Sequence, residues 1–194
     1  MSAEATVAGA PGYPLRFDVE YPERLSRWLI FVKWLFVIPV GLIYYLTTVA
    51  TVLPFAAFFT ILFRKKYPRW WFDFLVNFLR FQYRVGVYFF LLRDEYPALD
   101  EDQAVHLDVD YPSDLNRWLP LVKWLLVIPH VIVLYVVGII AFLFLFIGFF
   151  AVLFTGRFPR GLFNFVVGYT RWQLRVYAYA IYLLTDRYPP FSLK

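Results

Sequence analysis

Four positions of one expected helix could do chemistry together. Asp73, Asn77, Arg80 and Arg84 fall at i, i+4, i+7 and i+11, which at about 100° per residue puts them within an arc of about 60°. The spacing returns at Asn164, Gly168, Arg171 and Arg175. Two guanidinium groups on one face can grip phosphate or carboxylate in a bidentate fork, so the ridge fits a lipid-phosphate or other anion site. It fits helix locking as well, each Arg bonding Asn, Gln or Tyr groups or reaching to an interface. Acid–base catalysis is poorly served. Asp73 is the one acid inside the apolar segments, and Asn164 stands in its place in the second set and cannot titrate. No Ser/His/Asp set, Gly-rich phosphate loop or HExxH motif is present. The expectation is a protein that is not an enzyme.

The elements that must position this ridge are apolar. Hydrophobic residues make up 61% of the 194 and charged residues 17%, against about 45–50% and about 25% in soluble domains. Residues 34–63 and 124–156 contain no Asp, Glu, Lys or Arg. A span needs about 20 predominantly apolar residues, so both runs qualify. The expected class is an all-α integral membrane protein. The start, MSAEATVAGAPGYPLRF, has no basic n-region or apolar h-region and does not read as a signal peptide. No cysteine is present, which excludes disulfides, thiolate catalysis and iron–sulfur ligation. The net charge of +5 sits in Lys and Arg beside apolar runs, which suits lipid headgroups better than nucleic acid.

The chain repeats itself. VEYPERLSRWLIFVKWLFVIP, residues 19–39, aligns without gaps on VDYPSDLNRWLPLVKWLLVIP, residues 109–129, and the stretches from Tyr67 and Phe158 match as well. The expected organisation is a polar tail at 1–17, a membrane repeat at 18–97, an acidic aqueous linker at 98–107, a second repeat at 108–190 and a tail at 191–194. Each repeat reads as three helices. The first, 23–37 or 113–127, is interfacial: Trp28, Trp34, Trp118 and Trp124 have the ring chemistry of the headgroup level. Lys33 and Lys123 would run their stems along the acyl boundary and hold the ammonium in water. Pro39 and Pro129 would open the second helix, a transmembrane span at 39–63 or 129–154. A rival parse folds 28–63 into a hairpin of two short spans. The third helix, 70–92 or 162–184, carries the Arg ridge and either crosses the bilayer or lies on it. Its two arginines cost about 5–7 kcal/mol on insertion scales, and its apolar residues return about 3–8 kcal/mol. The narrowness of the polar stripe favours crossing. That would gather Arg80, Arg84, Arg171 and Arg175 around a pseudo-two-fold axis.

The basic loops RKKYPR (64–69) and GRFPR (156–160) would mark the cytoplasmic side and touch anionic lipid. His130 has no second ligand beside it and His106 lies in the linker, so no metal centre and no cofactor are expected.

The phrases YPxxLxRWLxxVKWLxVIP and FPRxLFxFxxxxxRWxxRVxxYxxLLTDxYPPF resemble the bacterial and archaeal membrane proteins grouped as domain-of-unknown-function family 4389. The second copy keeps the pattern at Arg171, Trp172, Arg175 and LLTDRYPPF, and the first departs at Phe81 and LLRDEYP. The resemblance implies a small multi-pass membrane protein and assigns no reaction. The expected function is therefore a non-enzymatic accessory or scaffold subunit of the inner (cytoplasmic) cell membrane, crossing several times. Its partners would be membrane lipids and other membrane-protein subunits, and not nucleic acid. A small transporter or anion pathway lined by the Arg ridge is the alternative.

Overall fold

The computed structural model describes residues 12–47, 52–99 and 101–194. Among these are two strands, β1 (Leu15–Val19) and β2 (Val105–Val109). Six helices accompany them: α1 (Leu29–Thr47), α2 (Leu53–Arg64), α3 (Arg69–Phe89), α4 (Leu119–Leu126), α5 (Ile128–Thr155) and α6 (Arg160–Ala180).

The chain is mostly helical, as its apolar periodicity requires, but it is not all-α. LRFDV and VHLDV alternate apolar and polar residues, the signature of a strand with one buried face, and they pair antiparallel with Phe17 opposite Leu107. Neither was expected as a strand: β1 straddles the expected boundary of tail and first repeat at 17/18, and β2 that of linker and second repeat at 107/108. The ladder is continued by Glu20 N–H to Ala104 C=O and Asp110 N–H to Pro14 C=O. Phe17 and Leu107 each lie two residues before the start of their aligned phrase, so the centre of the ladder relates equivalent residues. Residues 1–11 of the expected tail lie outside the described residues.

The two long apolar runs fold differently. In the second, Val127 breaks α4 from α5 and Pro129 sits in the first turn of α5, where its missing N–H costs nothing. In the first, α1 runs straight through Pro39 to Thr47, and α2 begins at Leu53. The single span expected at 39–63 is thus two helices, and Pro39 lies inside the first of them. Residues 48–51, between them, are outside the described residues. Among those described, one stretch is long and apolar enough to cross a membrane, Leu119–Thr155, where α4 leads into α5.

The helices and strands stack in layers. α3 and α6 form the middle one. β2 contacts α3 and β1 contacts α6, while α1 packs on α3 and α5 packs along α6. The α5–α6 contact is antiparallel and continuous: His130 meets Trp172, and Phe144 meets Phe165. At the far end Gly148 leaves the room that the Phe158 ring takes. α5 buries only a narrow seam, His130, Leu134, Ala141, Gly148 and Val152. Most of its remaining large side chains are exposed, among them Ile132, Tyr135, Ile139, Phe142, Phe146, Phe150 and Phe154.

Candidate functional site

The Arg ridge is built against the strands. Arg171 on α6 donates through Nε to Phe17 C=O at 2.6 Å and through Nη2 to Asp18 at 2.9 Å. Arg80 on α3 does the same on the other strand, to Leu107 C=O at 2.8 Å and Asp108 at 3.4 Å. Phe17 and Leu107 turn these carbonyls outward from the ladder, so each guanidinium caps an edge that would otherwise be left unpaired. The geometry also crosses the repeat: the arginine of each aligned half holds the strand that begins the other half. Tyr21 donates to Phe158 C=O and Tyr111 to Tyr67 C=O in the same reciprocal way.

The second arginine of each ridge meets main chain. Arg84 donates to Ala98 C=O at 2.8 Å, and Arg175 to the carbonyls of Ser192 and Lys194. Arg171 adds Leu193 C=O at 3.2 Å. Gly168 has no side chain because the segment at Leu193 lies there: its carbonyl oxygen would stand 2.7 Å from a Cβ. Of the four arginines expected around one axis, Arg80 and Arg171 each reach a strand, and Arg84 and Arg175 reach main chain elsewhere. The counter-charges of Arg171 and Arg80 are Asp18 and Asp108, which lie outside the helices. Asp73 is exposed and pairs with Arg69 at 3.3 Å, Asn77 accepts from Arg80 at 3.0 Å, and Asn164 is exposed.

The two lysines are the clearest departure from expectation. Lys33 is 2% exposed and Lys123 0%, so neither ammonium is held in water. Lys33 pairs with Asp94 at 2.7 Å and donates to Arg93 C=O at 2.6 Å. Lys123 pairs with Asp186 at 2.7 Å and donates to Thr185 C=O at 2.6 Å. Each ammonium also lies over a Tyr ring, Tyr88 at 4.7 Å and Tyr179 at 4.8 Å. The other oxygen of each carboxylate accepts a backbone N–H, from Ser26 and Asn116, both at 2.6 Å. Each unit ties the Arg–Trp corner that opens its first helix to the end of its third. Asp94 and Asp186 went unrecognised in the sequence, although both copies carry the Lys in RWLxxVKW and the Asp before YP.

Trp28, Trp34, Trp118 and Trp124 are exposed, as membrane-facing anchors would be. The corner before α1 sits on the loop after α5: Leu25 N–H donates to Gly156 C=O at 2.8 Å, and Arg27 lies against Gly156. The corner before α4 forms a shallow pocket with Lys65, Asp114, Asn116, Arg117, Trp118 and Asp186. His130 accepts at Nδ1 from Trp172 Nε1–H at 3.0 Å and stacks on Phe191 at 3.7 Å. Beyond the helices, burial pushes the Tyr13 hydroxyl well above its ordinary range. The hydrogen bond to Asp110 raises the Arg16 guanidinium further. Both groups keep their neutral-pH charge states.

The layers and their contacts define a mostly helical chain with a strand pair clamped on it and, among the described residues, one stretch long and apolar enough to cross a membrane. Residues 118–192 match the model of the domain of unknown function DUF4389, a stretch that holds most of the second aligned half and none of the first. Neither a curated protein nor a solved structure matches the chain.

Proposed function

We propose that the chain is a small non-enzymatic scaffold of the cell membrane, built of two tandem copies of the family unit and seated in lipid from one side. The observation that carries this is the pair of neighbours of α6. Along one face it holds β1 through Arg171, and Tyr21, just past β1, reaches Phe158 at the start of that helix. Over the same stretch another face is covered by α5. The ladder bears Arg16, Asp18, His106 and Asp108, with Asp110 at its end. Charges at that density, and a sheet with open edges, do not belong in hydrocarbon. The exposed flanks of α5 carry almost nothing that water would solvate. Both demands are met if α5 lies within the bilayer roughly in its plane, α3 and α6 lie at the interface, and the ladder faces water. The exposed Trp28 and Trp118, each next to an arginine, then sit at headgroup level and contact anionic lipid.

Multi-pass crossing is the competing reading. It is favoured by the length of α5, 28 residues or about 42 Å at 1.5 Å per residue, and by its apolar circumference. Depth measurements separate the two. The chain has no native cysteine, so single-cysteine variants at Ile132, Ile140 and Phe154 can each carry a fluorophore, quenched in vesicles by lipids with spin labels at graded depths. The in-plane seat expects similar depths for all three. A deep Ile140 between two shallow ends supports crossing and defeats the proposal. Scaffold rather than transport function predicts that vesicles bearing the protein stay impermeant to chloride and phosphate, and measured flux would overturn it.

A further inference from the structure

Between α3, α5 and α6 lies a cleft of about 390 Å³ that no contact described above explains. Its walls are apolar, from Val87, Phe90, Ala141, Leu145 and Val166. Phe142, 65% exposed, stands at its edge, so it opens on the flank of α5 assigned to lipid. Gly86 lines it, and a Cβ built there would meet no heavy atom within 4 Å. The space beside Gly86 is therefore open. Polar groups stand on two of its walls: on α6 Gln173 donates toward the Tyr169 and Tyr177 hydroxyls at 3.4 and 3.3 Å, and on α3 its equivalent Gln82 lines the same space.

An empty apolar cleft forfeits dispersion contacts on every wall, and one that opens to hydrocarbon is filled by what the hydrocarbon contains. We propose that this cleft takes one acyl chain of a membrane lipid. The ester or acid carbonyl accepts from the Gln173 amide and the Tyr169 or Tyr177 hydroxyl, while the methylenes run past Gly86 and Phe142. The asymmetry of the two halves supports a single site. α5 is one long helix that walls the cleft, whereas its counterpart in the first half is divided into α1 and α2. The inference rests on the lipid-seated reading of α5.

The test uses the full chain in phosphatidylcholine vesicles carrying a photoreactive diazirine on one acyl chain, with a diazirine fatty acid in a parallel arm. Adducts are mapped by peptide mass spectrometry. The expected result is labelling on 82–90 and 166–177 as well as on the outer flank 131–136 of α5. Gly86→Phe, which fills the cleft from an unobstructed position, should cut the cleft adducts at least tenfold and leave the flank adducts unchanged. Gly86→Leu serves the same purpose if the larger ring prevents folding. Cleft labelling stronger with phosphatidylcholine than with the fatty acid assigns the chain to a phospholipid, and the reverse assigns it to a free acid. Flank adducts without cleft adducts, or cleft adducts indifferent to both substitutions, overturn the proposal and leave the membrane seat standing. Absence of adducts at every position overturns both.

Discussion

The two kinds of charged contact differ in how alike their two copies are. Lys33–Asp94 and Lys123–Asp186, each internal to one of the two aligned halves, agree in ion-pair distance at 2.7 Å and bury their lysines almost equally, at 3% and 0% side-chain exposure. The clamps between the two halves are less alike. Arg171–Asp18 is held at 2.9 Å with the arginine 9% exposed, and Arg80–Asp108 is held at 3.4 Å with the arginine 31% exposed. The internal lock decides whether a unit closes at all, since an unpaired ammonium or carboxylate there would be buried. The clamp only fastens an already closed unit to its neighbour's strand, and water can share that work on the α3 side.

The largest effect expected from this contrast falls on the locks. Lys123→Met takes the buried ammonium away from Asp186 and Thr185 C=O and should cost up to about 3 kcal/mol, the low end for orphaning one member of a buried pair, since Asp186 keeps some contact with water. Lys33→Met should cost nearly as much. The double change Lys123→Met with Asp186→Asn should recover a good part of the loss, because the Asn oxygen can still accept the Asn116 N–H. Denaturant midpoints in mild detergent measure all three. Costs under about 1 kcal/mol for both lysines, as exposed pairs give, would mean that the ammoniums reach water after all.

A smaller and unequal effect is expected at the clamps. Arg171→Leu removes charge-assisted bonds to Phe17 C=O and Asp18 from a buried site and should cost about 2–3 kcal/mol. Arg80→Leu should cost about 1 kcal/mol, since its site is already wet. Protease sensitivity near residues 15–19 and 105–109 gives a second readout, with release of β1 in the first variant exceeding release of β2 in the second. Equal losses would erase the distinction between a dry clamp and a wet one.

How much of this could be read from the residues depends on sequence distance. The apolar runs and the Arg-bearing helices are properties of periodicity within a window, and they stand at nearly the expected places, Arg69–Phe89 for 70–92 and Arg160–Ala180 for 162–184. The ladder was missed because five-residue alternation in LRFDV and VHLDV is a short signal, and polar neighbours made both stretches look like tail and linker. The lysines were misplaced for a different reason. A Lys among Trp and Leu looks like a snorkelling anchor until its carboxylate is found, and Asp94 and Asp186 lie some sixty residues on. The arginines met the same difficulty. Asp18 and Asp108, inside the repeated DVEYP and DVDYP phrases, supply the counter-charge that the search within the helices failed to find.

The smallest expected effect sharpens the contrast from below. Arg16–Asp110 belongs to the same ladder and is as short as any clamp, at 2.8 Å, but its partners are 42% and 57% exposed. If distance set the worth of an ion pair, Arg16→Gln would cost as much as Arg171→Leu. If burial sets it, the loss should stay below about 0.5 kcal/mol. It should also fade as ionic strength approaches 1 M, where the screening length falls to about 3 Å. The Arg171 variant should keep most of its loss at the same salt, because counterions do not reach a site closed by β1, α6 and the Leu193 segment. A salt-resistant cost of 2 kcal/mol or more at Arg16, on the order of a buried charged hydrogen bond, would show that the ladder is drier than its exposed face implies, and would count against setting that face in water.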